Sequence, residues 1–280
     1  MGVRTIREVA VWLDESAPDS GAFRHALDWA SRLGVSLRGV LADEQHRRLA
    51  TGWRSEATGK EASGLLAACE AACKFARVPW EQSLSRGPIT QVVGRFLQPT
   101  ALGVFGSALA EGAKNALLRE SLHGPAFPVL VCPQTWQPLE RVLVLHQDGP
   151  AVASFLDAMA ELCGTLRVTP VVLTVARRER AALAGQRTAQ AIWSARGYPA
   201  DFDMLVGCKV QTAVASVARW RRCSHVLVER GHASPWWRWL RADSLGRLLE
   251  LSDSFPFLVF PSEQTAGAPQ EATSTLRTTS

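Results

Sequence analysis

Any chemistry this chain performs must come from a few thiols, imidazoles, hydroxyls and carboxylates, so their spacing is the first thing to weigh. Cys69 and Cys73 lie one helical turn apart, which would put two thiolates on one face, but no nearby histidine or second cysteine pair completes a tetrahedral metal set. Core packing is the expectation for both. The six histidines, His25, His46, His123, His146, His225 and His232, show no ligand spacing, and His25 reads as a hydrogen-bonded or surface residue. The string Ala242-Asp243-Ser244-Leu245-Gly246 lacks the first glycine of a nucleophile elbow, so Asp243 and Ser244 read as a helix cap rather than a hydrolase site. Gly59-Lys60 is followed by Glu61, where a P-loop needs a hydroxyl to hold its metal.

The least ordinary stretch runs from Arg219 to Arg241. Trp220, Trp236, Trp237 and Trp239 alternate there with Arg219, Arg221, Arg222, Arg238 and Arg241, and Glu229 is the lone acid. Indole and guanidinium together suit stacked bases and phosphates, yet a Trp-rich loop more often covers its own domain or a protein partner. A protein contact at Trp236, Trp237 and Trp239 is therefore preferred to nucleic acid.

The elements that must position these residues belong to a globular chain: 280 residues, 47% hydrophobic and 20% charged, can bury one large core or two ordinary ones. A formal charge of +5 is too mild to argue for nucleic acid on its own. The prolines around PAFPVLVCP and the absence of an apolar signal core after Met1 predict no membrane span and a cytoplasmic protein. Cys69, Cys73, Cys132, Cys163, Cys208 and Cys223 are scattered, as reduced core thiols would be.

An internal echo organises the chain. Phe127 to Pro133 reads FPVLVCP and Phe255 to Pro261 reads FPFLVFP; ASRLG at Ala30 to Gly34 returns as AELCG at Ala160 to Gly164, and the stretch near Gly87 returns near Gly207. The pattern predicts two copies of one domain, 1–137 and 138–262, joined near Pro138, with a disordered Ser/Thr-rich tail at 263–280. In each copy, short β-branched runs alternate with helical spacing, which predicts α/β architecture with parallel strands. The first-copy strands fall at Glu8 to Leu13, Ser36 to Leu41, Trp80 to Ser85, Leu102 to Phe105 and Pro128 to Cys132. Those of the second begin at Arg141, Val168, Asp201, Ser224 and Pro256. Helices are expected at Gly21 to Leu33, Gly59 to Ala76 and Ile89 to Phe96.

This order of elements, with VAVWLDES at the first strand end and Gly106-Ser107 after the fourth, resembles the tandem universal stress proteins. The resemblance implies two tandem doubly wound five-stranded parallel sheets of the adenine nucleotide alpha hydrolase type. They would form an intramolecular pseudo-dimer in which last strands pair, and the whole chain could itself dimerise. It also implies ATP across the carboxyl ends of the strands, at the topological switch point. The family's phosphate loop, G-x2-G-x9-G-[S/T], is degraded here. Between Gly106 and Asn115 the first copy is about a helical turn short, with Leu109 in place of the second glycine and Ala116 in place of the hydroxyl. In the second copy the loop from Gly231 keeps Ser244 but puts Asp243 where glycine belongs and fills its middle with Trp236, Trp237 and Trp239. Asp14 sits at the family's strand-one acid; the second copy has His146 there and Asp148 two residues on. Leu41 and Val175 would meet adenine through their main chains.

The expectation is a non-catalytic stress-response or regulatory protein with weak or lost adenine-nucleotide binding and no catalytic or metal residues. The alternatives are an ATP-binding switch using Asp14, Leu41, Gly106 and Ser107, and an interaction module using the Trp/Arg loop 236–241. Arg119 lies too deep in its helix to serve as a phosphate ligand.

Overall fold

The computed structural model describes residues 6–13, 17–42, 57–85, 101–106, 127–146, 152–230 and 254–261. The strands are β1 (Glu8–Trp12), β2 (Ser36–Ala42), β3 (Trp80–Ser85), β4 (Ala101–Gly106), β5 (Val129–Cys132), β6 (Arg141–His146), β7 (Thr169–Ala176), β8 (Asp201–Val206), β9 (His225–Arg230) and β10 (Phe257–Pro261). The described helices are α1 (Gly21–Leu33), α2 (Ala57–Phe75), α3 (Val152–Leu166), α4 (Glu179–Arg196) and α5 (Val210–Trp220). The helix expected at Ile89 to Phe96 and the tail 263–280 lie outside the described residues.

Val, Leu and Ala on both faces of β1, β4, β5 and β6 make these strands nearly continuous apolar runs, as parallel strands covered on both sides require. All ten strands form one sheet in the order β3-β2-β1-β4-β5-β10-β9-β6-β7-β8. Every neighbouring pair is parallel except β5 and β10, which run antiparallel with Leu130 opposite Leu258. The two five-stranded arrays are joined edge to edge through their last strands, β5 and β10, as the expected pairing of last strands requires.

The core lies in two layers, one on each face. One layer packs Phe23 and Trp29 of α1, Cys69 and Cys73 of α2, Met159 and Leu162 of α3 and Trp193 of α4 over Val9, Val11, Val142 and Val144. On the other, Val214 and Val217 of α5 cover Leu143 and Leu145, and Ala10 and Trp12 continue the layer into the first array. Alternation along each strand decides which layer a residue enters.

Local signals explain the helix ends. Ser20 caps α1 by accepting a hydrogen bond from the Phe23 N–H at 3.2 Å, and Gly34 ends it in the left-handed region. The sequence echo pairs Gly34 with Gly164, but Gly164 lies inside α3, and Arg167, at φ 55°, takes the left-handed position that ends that helix. Gly164 serves a different purpose: a Cβ there would collide with the Tyr198 ring.

One other expectation is corrected and one narrowed. Cys208 is exposed, whereas Cys69, Cys73, Cys132, Cys163 and Cys223 are buried and in no disulfide. Of the two places expected for His25 the surface is ruled out: it is fully buried, with the Thr135 main chain as its polar neighbour. No described helix is long and apolar enough to cross a membrane.

Candidate functional site: the two switch-point crevices

Strand order reverses between β1 and β4 in the first array and between β6 and β9 in the second, so each array offers a crevice at the carboxyl ends of those strands. Of the expected site residues, Leu41, Gly106 and Val175 are described. Asp14, Ser107, Asn115, Asp148, Gly231 and Ser244 lie outside the described residues, as do Arg119 and the tryptophans at 236, 237 and 239.

The first crevice has an aromatic floor. Trp12, the last residue of β1, stacks on Phe105 of β4 with ring centroids 4.7 Å apart and planes inclined by 21°, both rings being buried. Beside this stack Gly106 ends β4, where a Cβ would meet only the Ala22 methyl at an ordinary 3.5 Å. Packing among the described residues does not demand a glycine there. Leu41, near the end of β2, is buried with Leu13 in the α1 layer and pairs with Leu84 of β3.

Register identifies the counterparts in the second array. The Gly103 N–H donates to the Pro128 carbonyl, as the Val226 N–H does to Pro256, and Val11 sits opposite Val104 as Val144 sits opposite Leu227. Stepping along the strands, Phe105 corresponds to Val228, Trp12 to Leu145 and Gly106 to Glu229. Glu229, not Gly231, thus stands at the rim position that Gly106 holds.

The same register pairs Leu13 with His146 and Leu41 with Thr174, since the Leu13 N–H bonds the Val40 carbonyl while Leu145 and His146 face Leu173 and Thr174. Val175 lies one residue farther and points into the opposite layer, so it does not occupy the place of Leu41. His146 is buried and its Nε2 lies 2.7 Å from Thr174 Oγ1. Gly185 of α4 makes room above them: a Cβ would come within 3.2 Å of Thr174 Cγ2 and 3.3 Å of His146 Cε1. The expectation that His146 takes the place of Asp14 is thus corrected by one residue, and the imidazole is packed beneath a helix.

The remaining chemistry is limited. Among the described residues no three His, Cys, Asp or Glu side chains gather as a metal could use. Burial pushes the Cys73 thiol up to about 11, aided by Glu70, and Cys163 up to about 12, which leaves both protonated and poorly nucleophilic. Sequence reading missed the Trp12–Phe105 stack; the aromatic residue just before each crevice loop was the available signal.

No protein-family model matches the sequence. No curated protein matches it either. Solved structures do. A universal stress protein from Archaeoglobus fulgidus is similar over 90% of this chain and 96% of its own, at 12% identity and a TM-score of 0.63. A functionally unknown protein from Pseudomonas aeruginosa matches over 94% and 95%, at 11% identity and a TM-score of 0.64. The cytoplasmic domain of a prokaryotic cation chloride cotransporter matches over 90% and 94%, at 11% identity and a TM-score of 0.53. The chain has the α/β fold of the universal stress proteins, in its tandem arrangement.

Proposed function

We propose that this chain is a non-catalytic regulatory protein on the universal-stress fold, with adenine-nucleotide binding weak or lost, and more so in the second crevice than in the first. The observation that carries the reading is Glu229 at the register place of Gly106. A side chain at the rim where the family's phosphate-binding turn begins with glycine denies a phosphate the close main-chain approach that glycine allows. The Gly106 rim, which carries no side chain, favours the first crevice as the place where adenosine would sit if any binds, alongside Asp14, Leu41 and Ser107. A cotransporter domain with the same architecture shows that the fold is not tied to one activity.

Titration calorimetry and thermal unfolding with millimolar Mg-ATP test this. The expected result is neither saturable heat nor a rise in Tm. Saturable binding that Gly106→Glu abolishes would instead establish the ATP-switch reading. The Trp/Arg loop 236–241 remains a proposed protein contact, tested by replacing Trp236, Trp237 and Trp239 with Ala and measuring oligomer size and partner recovery.

A further inference from the structure

His25 of α1 and His225 of β9 meet with ring centroids 5.1 Å apart and planes at 85°, both without solvent exposure. The contact joins the first array to the second across the antiparallel β5–β10 seam. Its surroundings are poorly satisfied. Nε2 of His225 and Nε1 of the adjoining Trp29 are buried without hydrogen-bond partners, and His25 has little beyond the Thr135 main chain. Ser224 Oγ donates to the Arg141 carbonyl at 3.0 Å, so His225 Nδ1, also 3.0 Å away, must donate to Ser224. That tautomer leaves the lone pair of His225 Nε2 uncompensated inside the protein.

The charged groups around the pair offer an added proton little. Asp28, one turn from His25, is held by Arg32 at 2.8 Å and by the Leu139 N–H at 3.3 Å. Arg32 reaches on to the Leu166 carbonyl at the end of α3, and its positive charge faces His225. From the 133–140 connection only the Thr135 main chain favours charge on His25.

We propose that the His25–His225 contact is an acid-sensitive latch, closed while both imidazoles are neutral and opened at the seam when either takes a proton. Burial lowers His25 to about 4, against the smaller pull of Thr135 and Asp28, and burial, His25 and Arg32 hold His225 well below 6.5. Once the seam opens, both return toward about 6.5. The latch therefore stabilises the closed form fully above about pH 6.5 and loses its effect as pH falls toward 4.

Amide exchange of the intact chain, corrected for intrinsic rates, is the test. Acidification from pH 7 to 5 should raise opening of Val129–Cys132 and Phe257–Phe260 relative to β1 and β2, by about tenfold per pH unit for each proton taken up. His25→Leu with His225→Leu should flatten that dependence. Should this double variant fail to fold, the wild-type imidazole Cε1–H resonances decide: neutral shifts retained through pH 6 support the latch. Ordinary titration near 6.5 with seam protection unchanged overturns it, and so does a pH dependence that survives both substitutions in a folded variant.

Discussion

His146 Nε2 and Thr174 Oγ1 lie 2.7 Å apart in the buried layer beneath α4, at the register places that Leu13 and Leu41 fill with hydrocarbon in the first array. A polar pair has replaced an apolar one, and each member depends on the other. Thr174→Val keeps the shape and removes the hydroxyl, so it should cost about 1–3 kcal/mol in urea unfolding. His146→Leu with Thr174→Val should recover most of that loss, and a double-mutant cycle measures the coupling.

The Trp12–Phe105 stack fills the floor of the first crevice. Phe105→Ala should cost about 3–5 kcal/mol of stability, because the rigid strands on either side cannot collapse into the void. A drop in Tm without a new ligand-binding heat is the expected outcome.

Two glycines should respond differently to the same substitution. A Cβ at Gly21 would strike the main-chain carbonyls of Pro133 and Gln134, so Gly21→Ala must displace the connection between β5 and β6. A Cβ at Gly164 meets only the ring of Tyr198, which is 40% exposed and free to swing outward. Gly21→Ala should destabilise by about 2 kcal/mol or more and Gly164→Ala by about 1 or less, measured by denaturant unfolding.

Cys208 is the exposed thiol among the described cysteines, and burial shields Cys69, Cys73, Cys132, Cys163 and Cys223. A mild aromatic disulfide reagent should label Cys208 rapidly in the native chain. The other five should react only on unfolding, and Cys208→Ser should remove the fast phase.

Two arginine–carboxylate pairs separate burial from geometry. Arg221 holds Asp203 through two hydrogen bonds, at 2.8 and 2.5 Å, with the Asp203 side chain only 15% exposed. Arg196 grips Asp157 with the same fork, but both side chains are over 40% exposed. Asp203→Ala should cost about 1–2 kcal/mol and remain costly in 1 M salt, while Asp157→Ala should cost under about 1 kcal/mol and fade with salt.

The sequence by itself determined the alternating elements, because hydrophobic period is a local property: β3 and β6 fall on the expected residues, and α1 runs over Gly21–Leu33. What it could not determine is how strands meet. Register depends on hydrogen bonds between segments far apart in sequence, and a slip of one residue exchanges the two faces of a strand. Hence motif echoes chose Gly164 for Arg167, Val175 for Thr174 and Gly231 for Glu229, where similar letters fall near, but not at, equivalent places. The burial of His25 against His225 arose only when antiparallel β5 and β10 brought α1 over the start of β9. No local pattern encodes such a contact, because its energy exists only once both arrays have folded.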